Sequence, residues 1–224
     1  MAVQFNGSTY YSIATPDTFG SSLPVSMCAW VKSPLTIQEG IVSVRGTSGE
    51  LVIHITGAQL GDAFTANQTY YSSQRMAQIL WSSANTWYFI GARFISNTSR
   101  YVYRNTTSVW NGDNPLFITC DGNLHIGWKV YGNQITNSAI ASAAFWDADI
   151  GDTAMKAMGG SGGEWLGPNL FPNNLVSHAR LDTLDRYDEV MDATWGRTGT
   201  GDTLVDHPAI NYGSDPFGPK IQII

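Results

Sequence analysis

Val25-Ser-Met-Cys-Ala-Trp-Val31 is the stretch on which the fold turns. Its bulky and β-branched side chains suit a strand. At a period of two, Val25, Met27, Ala29 and Val31 share one face while Cys28 and Trp30 share the other. Both faces are partly apolar, so the strand needs cover on each side and belongs in the middle of its sheet. Comparable stretches recur along the chain. Leu51, Ile53 and Ile55 alternate with Val52 and His54; Trp87 to Phe94 is rich in aromatics; Tyr101 to Arg104, Leu124 to Trp128 and Ile140 to Trp146 continue the series. Clusters of Gly, Pro, Asn and Ser separate them, the pattern of a many-stranded antiparallel protein whose strands bury one side against a facing sheet.

The fold class expected is therefore all-β, a two-sheet antiparallel sandwich with one short helix. That helix is expected over Asp149 to Met158, where Ile150, Ala154 and Met158 recur at i, i+4 and i+8. Asp149 or Asp152 can cap its start, and Gly159-Gly160 can end it by tolerating positive φ. The run Gly159-Gly-Ser-Gly-Gly163, followed by Pro168 and Pro172, marks a shift in composition. We expect a sandwich over residues 1–163 and an irregular C-terminal extension over 164–224. The extension is too poor in apolar runs to fold alone, so it should pack on the sandwich or on a neighbouring subunit.

Of the 224 residues, 43% are apolar and 13% charged, the balance of a folded chain with an uncharged polar surface. Residues 1–163 hold eight Lys/Arg against nine Asp/Glu and residues 164–224 hold four against nine, so the last quarter carries −5 of the net −6. This balance disfavours nucleic acid, whose phosphates need a basic face. Apolar runs such as Trp87 to Ile90 fall far short of the roughly 18 residues of a membrane span. The opening Met-Ala-Val-Gln-Phe-Asn-Gly has neither the basic nor the apolar region of a secretory leader, so cytoplasmic synthesis is expected. Cys28 and Cys120 lack metal-knuckle spacing and read as buried free thiols.

The order of the segments carries more than their type. Phe5-Asn-Gly-Ser-Thr-Tyr-Tyr-Ser-Ile13, Ala29-Trp30-Val31, Trp87-Tyr-Phe-Ile-Gly-Ala92, Tyr101-Val-Tyr-Arg-Asn105, Leu124-His-Ile-Gly127 and Ile140 to Trp146 before a helix follow one another. This succession resembles a LamG-like jelly roll of the concanavalin A-like lectin and glucanase superfamily, over about residues 1–160. The resemblance implies an opening hairpin, followed by strands in that order. It departs where Ala141 and Ser142 stand in place of the family's acidic pair and where Thr106 replaces a turn glycine, which removes the carboxylates of one calcium site. Pro172-Asn-Asn-Leu-Val-Ser-His-Ala-Arg-Leu181, Tyr187-Asp188 and Asp206-His-Pro208 are similar to a tail that follows LamG-like domains in virion proteins of tailed bacteriophages.

Catalytic chemistry finds little support. A retaining glucanase needs two carboxylates about 5–5.5 Å apart, and no two of Glu39, Glu50, Glu164 and Glu189 share a strand. Asp147 and Asp149 alternate, but they precede a helix, where carboxylates cap amides and favour the dipole. His54, His125, His178 and His207 have no zinc spacing, and each reads as a strand or loop residue with a satisfied hydrogen bond. No Gly-x-Ser-x-Gly elbow or phosphate loop occurs. Asp113, Asn114, Asp121 and Asn123 could hold calcium, though Asn-Gly and Asp-Gly pairs equally serve hairpin turns. For a sugar or a protein partner the candidates are Tyr70, Tyr71 and Trp110, aromatics near polar loops.

Two functions follow as expectations, neither enzymatic. The first is a bacteriophage virion protein, a capsid decoration or minor head protein or a tail or fibre component, assembled in the host cytoplasm. It would bind other virion proteins as a homo-oligomer, a trimer being one form, without nucleic acid or membrane as partner. The second is a lectin-like module that recognises host or environmental glycans, with calcium as the one cofactor in view.

Overall fold

A computed structural model describes residues 1–15, 23–34, 38–47, 49–56, 63–70, 73–80, 83–112, 119, 122–130, 132–181, 187–188 and 190–213. In chain order the strands begin β1 (Ala2–Gln4), β2 (Tyr10–Ala14), β3 (Val25–Lys32), β4 (Glu39–Arg45), β5 (Glu50–Thr56), β6 (Ala63–Tyr70) and β7 (Ser73–Leu80). Next come β8 (Trp87–Ser96), β9 (Ser99–Arg104), β10 (Thr107–Asn111), β11 (Asn123–Ile126), β12 (Trp128–Lys129), β13 (Gln134–Ile135) and β14 (Ala139–Trp146). Helix α1 (Gly151–Met158) is followed by β15 (Trp165–Leu166), a 3-10 turn (Pro168–Leu170) and β16 (Leu175–Ala179). The chain ends with β17 (Tyr187–Asp188), β18 (Ala193–Thr194), β19 (Gly196–Thr198), β20 (Thr203–Val205) and β21 (Ile210–Asn211).

These strands form two large sheets. One has ten strands in the order β10-β9-β8-β3-β14-β16-β17-β18, with β1 also on β14 and β20 on β1; the other is β19-β2-β11-β4-β5-β6-β7. β3 lies between β8 and β14, central as its two apolar faces require, and pairs with β8 over its whole length from Val25↔Phe94 to Lys32↔Trp87. Its Val25, Met27, Ala29 and Val31 enter the core between the sheets with Val44, Leu51, Ile53 and Phe64 of the other sheet. Cys28 and Trp30 point the opposite way, into a second cluster with Phe89, Trp146, Met155 and Met158. That outer cluster is covered by α1, and Gly91 allows the approach: a Cβ there would stand 2.8 Å from the Met155 sulfur. Cys28 is buried and free, its thiol pKa pushed well up by burial, whereas Cys120 lies outside the described residues.

Three local expectations are corrected. The opening hairpin does not form: β1 pairs with β14 and β20 in the ten-stranded sheet, whereas β2 pairs with β11 and β19 in the other. The residues from Phe5 to Thr9 cross between sheets, and Phe5 is buried in the core on the way. The run from Leu124 to Trp128 is broken at Gly127, whose φ of 82° ends β11 before β12. The helix starts at Gly151, two residues late, and its N-cap Ile150 makes no side-chain capping bond. Asp149 accepts the Gly151 N–H at 3.0 Å instead, and Asp152 is engaged by Tyr103 and Lys156. The C-terminus ends as the sequence implies. Gly160 at φ 93° lets Ser161 N–H reach the Lys156 carbonyl and its own N–H reach that of Ala157.

Residues beyond 163 supply strands to both sheets. β16 pairs with β14 from Ala143↔Ala179 to Trp146↔Leu175; β19 pairs with β2 and β20 with β1. Ala179, Leu181 and Trp195 sit in the core between the sheets, where Trp195 packs on Phe145. No helix among the described residues is long and apolar enough to cross a membrane.

Candidate functional site

Antiparallel partners share a face, so the register across the ten-stranded sheet defines a row on its outer side: Trp110↔Tyr101↔Arg93↔Ser26↔Trp146. Trp110 opens the row at the sheet edge, 57% exposed, its indole N–H fixed to Ser99 Oγ at 3.0 Å. Tyr101 is half-buried and lies near-parallel to Tyr103, with ring centroids 6.4 Å apart. The Arg93 guanidinium sits 5.0 Å from the centre of the Tyr101 ring. With neighbouring strands about 4.8 Å apart, the row from Trp110 to Arg93 covers about 10 Å.

Arg93 is held from three sides. Its Nε donates to Asp149 Oδ1 at 2.5 Å, Nη2 to Asp149 Oδ2 at 2.7 Å, and Nη1 to the Tyr103 hydroxyl at 2.8 Å. The guanidinium, hydrogen-bonded in this forked way, keeps the Asp149 carboxyl below the usual carboxylate range. Beyond Asp149 the surface dips into a groove of about 350 Å³ lined by Ile150, Ala154, Leu170, Phe171, Asn173 and Asn174 among others. The groove's far wall is pinned to the row, because Trp146 Nε1 donates to the Phe171 carbonyl at 2.9 Å. Asp147 N–H donates to the Asn174 carbonyl at 3.0 Å from the other side.

The outer face of the seven-stranded sheet is polar but closed. Its register aligns Ser12, His125, Ser43, Val52 and Asn67 in one row and His54 with Thr65 in the next. The β12–β13 hairpin lies over one end: Trp128 stacks on Tyr10 at 4.2 Å, meets His125 edge-on at 4.9 Å, and Ser43 Oγ donates to its carbonyl. His54, His125, Thr65 and Thr69 are all at most 2% exposed. Burial, helped by Lys129 near His54 and Arg45 near His125, lowers the histidine pKa values to about 3 and about 4. Among the described residues their ring nitrogens have no hydrogen-bond partner, against the expectation of satisfied histidines. His178 does have one, Ser142 Oγ at 3.1 Å, and a ring nitrogen of His207 meets the Pro208 carbonyl.

Of the aromatic candidates, Trp110 stands where a ligand could reach it. Tyr70 ends β6, with its side chain outside the described set, and Tyr71 lies outside the described residues. So do Asp113, Asn114 and Asp121 of the calcium candidates, while Asn123 begins β11 and is exposed. Among the described residues, no three His, Cys, Asp or Glu gather as a metal site would need. Asp147 and Asp149 make no catalytic dyad: Asp149 is committed to Arg93, and its lowered pKa is opposite to what a general acid requires. Glu39 and Glu50 fall on opposite faces of their sheet, Glu39 opposite the core residue Ile55 and Glu50 opposite Arg45. Tyr101, Arg93, Asn173 and Asn174 were missed. The alternation of Tyr101 with Tyr103 was a visible signal, but the alignment of Tyr101 with Trp110 and Arg93 depends on strand register.

No protein-family model and no curated protein sequence matches the chain. Solved structures do. A candidate carbohydrate-binding protein from Bacteroides ovatus superposes with a TM-score of 0.65 at 16% identity, covering 93% of this chain and 61% of that one. A heptameric SAP-like pentraxin from Limulus polyphemus gives 0.55 at 13% identity, covering 70% and 81%. Domain 4 of a GH43 extracellular arabinanase from Geobacillus stearothermophilus, solved with arabinotriose, gives 0.54 at 12% identity, covering 69% and 74%. At such identities the likeness is one of fold: the chain is an antiparallel jelly-roll sandwich of the type these structures share.

Proposed function

We propose that the protein is a non-enzymatic carbohydrate-binding module that lays a glycan along the outer face of its ten-stranded sheet. The observation that carries this reading is the exposed Trp110 in register with Tyr101 and the Arg93–Asp149 pair. An exposed indole fixed through its N–H offers a flat apolar face to the C–H side of a sugar ring, and the groove beyond Asp149 offers hydrogen bonds. The solved Bacteroides and arabinanase domains support the reading, since one is described as a carbohydrate-binding candidate and the other was solved with arabinotriose.

Titration calorimetry against a panel of plant, microbial and animal oligosaccharides is the test. Binding weakened about tenfold or more by Trp110→Ala, equivalent to about 1.4 kcal/mol, with the melting temperature unchanged, is the expected result. A silent panel at millimolar sugar ends the reading.

The virion role remains a second proposal, supported by the likeness of Pro172 to Leu181, Tyr187-Asp188 and Asp206 to Pro208 to the C-terminal segment that follows LamG-like domains in virion proteins of tailed bacteriophages. Light scattering at assembly concentrations tests it: a defined homo-oligomer favours it, and a monomer throughout removes it.

A further inference from the structure

The groove beside Asp149 has a chemistry of its own. Asp149 is 26% exposed at its side chain and can only accept hydrogen bonds. Its Oδ1 takes Arg93 Nε and the Gly151 N–H and its Oδ2 takes Arg93 Nη2, so the carboxylate is held rigidly, with Oδ2 the less occupied oxygen. Asn173 and Asn174 are exposed, and among the described residues their side-chain amides have no partner, leaving both donors and acceptors available. Leu170, 38% exposed, and the half-buried Phe171 supply apolar surface in the same groove.

The loop that carries these groups is set before any ligand arrives. Phe171 N–H donates to Pro168, Leu175 N–H to Pro172 and Asp147 N–H to Asn174, at 2.9, 3.1 and 3.0 Å. A ligand therefore meets a fixed backbone and the fixed Asp149 carboxylate, and orders only the two asparagine side chains on binding.

Three features select the occupant. A cavity of about 350 Å³ lies at the small end of ligand pockets, about 300–1,000 Å³. An acceptor-only carboxylate beside two free amides suits a ring bearing several hydroxyls. Charge disfavours acidic rings: Asp149 is the charged residue among those that line the groove, no lining residue is a cation that could receive a sugar carboxylate, and the chain is net −6.

Resting on the glycan-binding reading, we infer that this groove is the subsite for the terminal sugar of a neutral glycan, whose chain continues past the buried Arg93 to Tyr101 and Trp110. Asp149 and the two asparagines bind the sugar's hydroxyls, and Leu170 and Phe171 contact its C–H face.

The experiment compares the intact chain with Asn173→Ala, Ala154→Met and Trp110→Ala. The probes are neutral hexa-oligosaccharides of glucose, mannose, xylose and arabinose, oligogalacturonate, and the free monosaccharides. Affinity is read by calorimetry and the Asn side-chain amides by nitrogen-15 NMR. Ala154→Met fills the groove from the helix surface, and melting curves verify that each variant folds. The expected result is a neutral oligomer that shifts the Asn173 and Asn174 amides and loses tenfold or more in affinity in both groove variants. It binds at least tenfold more tightly than oligogalacturonate and than its own free monosaccharide. An oligosaccharide that depends on Trp110 but is indifferent to both groove variants overturns the subsite and leaves the glycan-binding reading standing. Oligogalacturonate bound as tightly as neutral oligomers overturns the charge selection. A free sugar bound as tightly as its oligomer overturns the continuation along the row, and a panel with no binder removes both proposals.

Discussion

His54 and His125 show how much a single position can weigh on stability. Both are neutral in the folded chain, with pKa values lowered to about 3 and about 4 chiefly by burial, while an unfolded histidine titrates near 6.5. Below pH 6.5 the unfolded chain binds protons that the native chain refuses, so native stability falls with pH. The slope is about 1.4 kcal/mol per pH unit for each histidine, until the folded values are reached. From pH 6.5 to 5 the pair costs about 3 kcal/mol, a large part of the roughly 5–15 kcal/mol that holds a domain together. Urea midpoints should therefore drop steeply from pH 7 to 5 in the native sequence and far less in His54→Leu/His125→Phe. Equal pH slopes for the two would show that the rings are protonated inside the fold. The sequence revealed that these histidines sit on strands, but not that their rings lack hydrogen-bond partners among the described residues, because the hairpin beside them is distant in the chain from His54.

That hairpin depends on an absent side chain. A Cβ on Gly40 would stand 2.1 Å from the Lys129 backbone nitrogen, so only glycine lets β12 lie on β4, where Ser43 and Glu50 also hold it through the Trp128 carbonyl and the Val130 N–H. In Gly40→Ala the backbone must separate. We expect a loss of about 1–3 kcal/mol and faster hydrogen exchange over Trp128 to Ile135, with β8 to β10 unaffected; unchanged exchange in the hairpin would contradict the close contact. At this scale the sequence was most legible where the signal is local. The period of two in Val25 to Val31 assigned each apolar residue to the correct core, because side-chain alternation needs no partner strand. The row from Trp110 through Tyr101 to Arg93 was illegible for the converse reason. Each residue was visible in its own strand, but only the pairings Trp110↔Tyr101 and Tyr101↔Arg93 align them. The same holds for β1 and β2, whose short separation suggests a hairpin although their partners lie some 110 to 200 residues away.

For the molecule as a whole, two expectations compete over a chain cut after Gly163. Composition reads residues 1–163 as a finished sandwich. Strand pairing argues otherwise: the cut exposes the edge of β14 from Ala143 to Trp146 and strips β19 from β2 and β20 from β1. It removes Ala179, Leu181 and Trp195 from the core between the sheets and Leu175 from the core under α1. It also removes Asp188, fully buried, which accepts from Ser177 Oγ at 2.5 Å, the N–H groups of His178, Val190 and Met191 at 3.2, 3.0 and 2.9 Å, and the Trp195 indole at 3.1 Å. Loss of one large buried aromatic costs about 3–5 kcal/mol, and here it is joined by other core residues and by three strands, β14, β2 and β1, each left without one partner. The truncated chain should show no cooperative melt and no near-UV dichroism, and should associate through its bared strand. A cooperative melt with native near-UV dichroism would instead mean that the two sheets are complete without their last strands, and that the region after Gly163 is free to serve a partner.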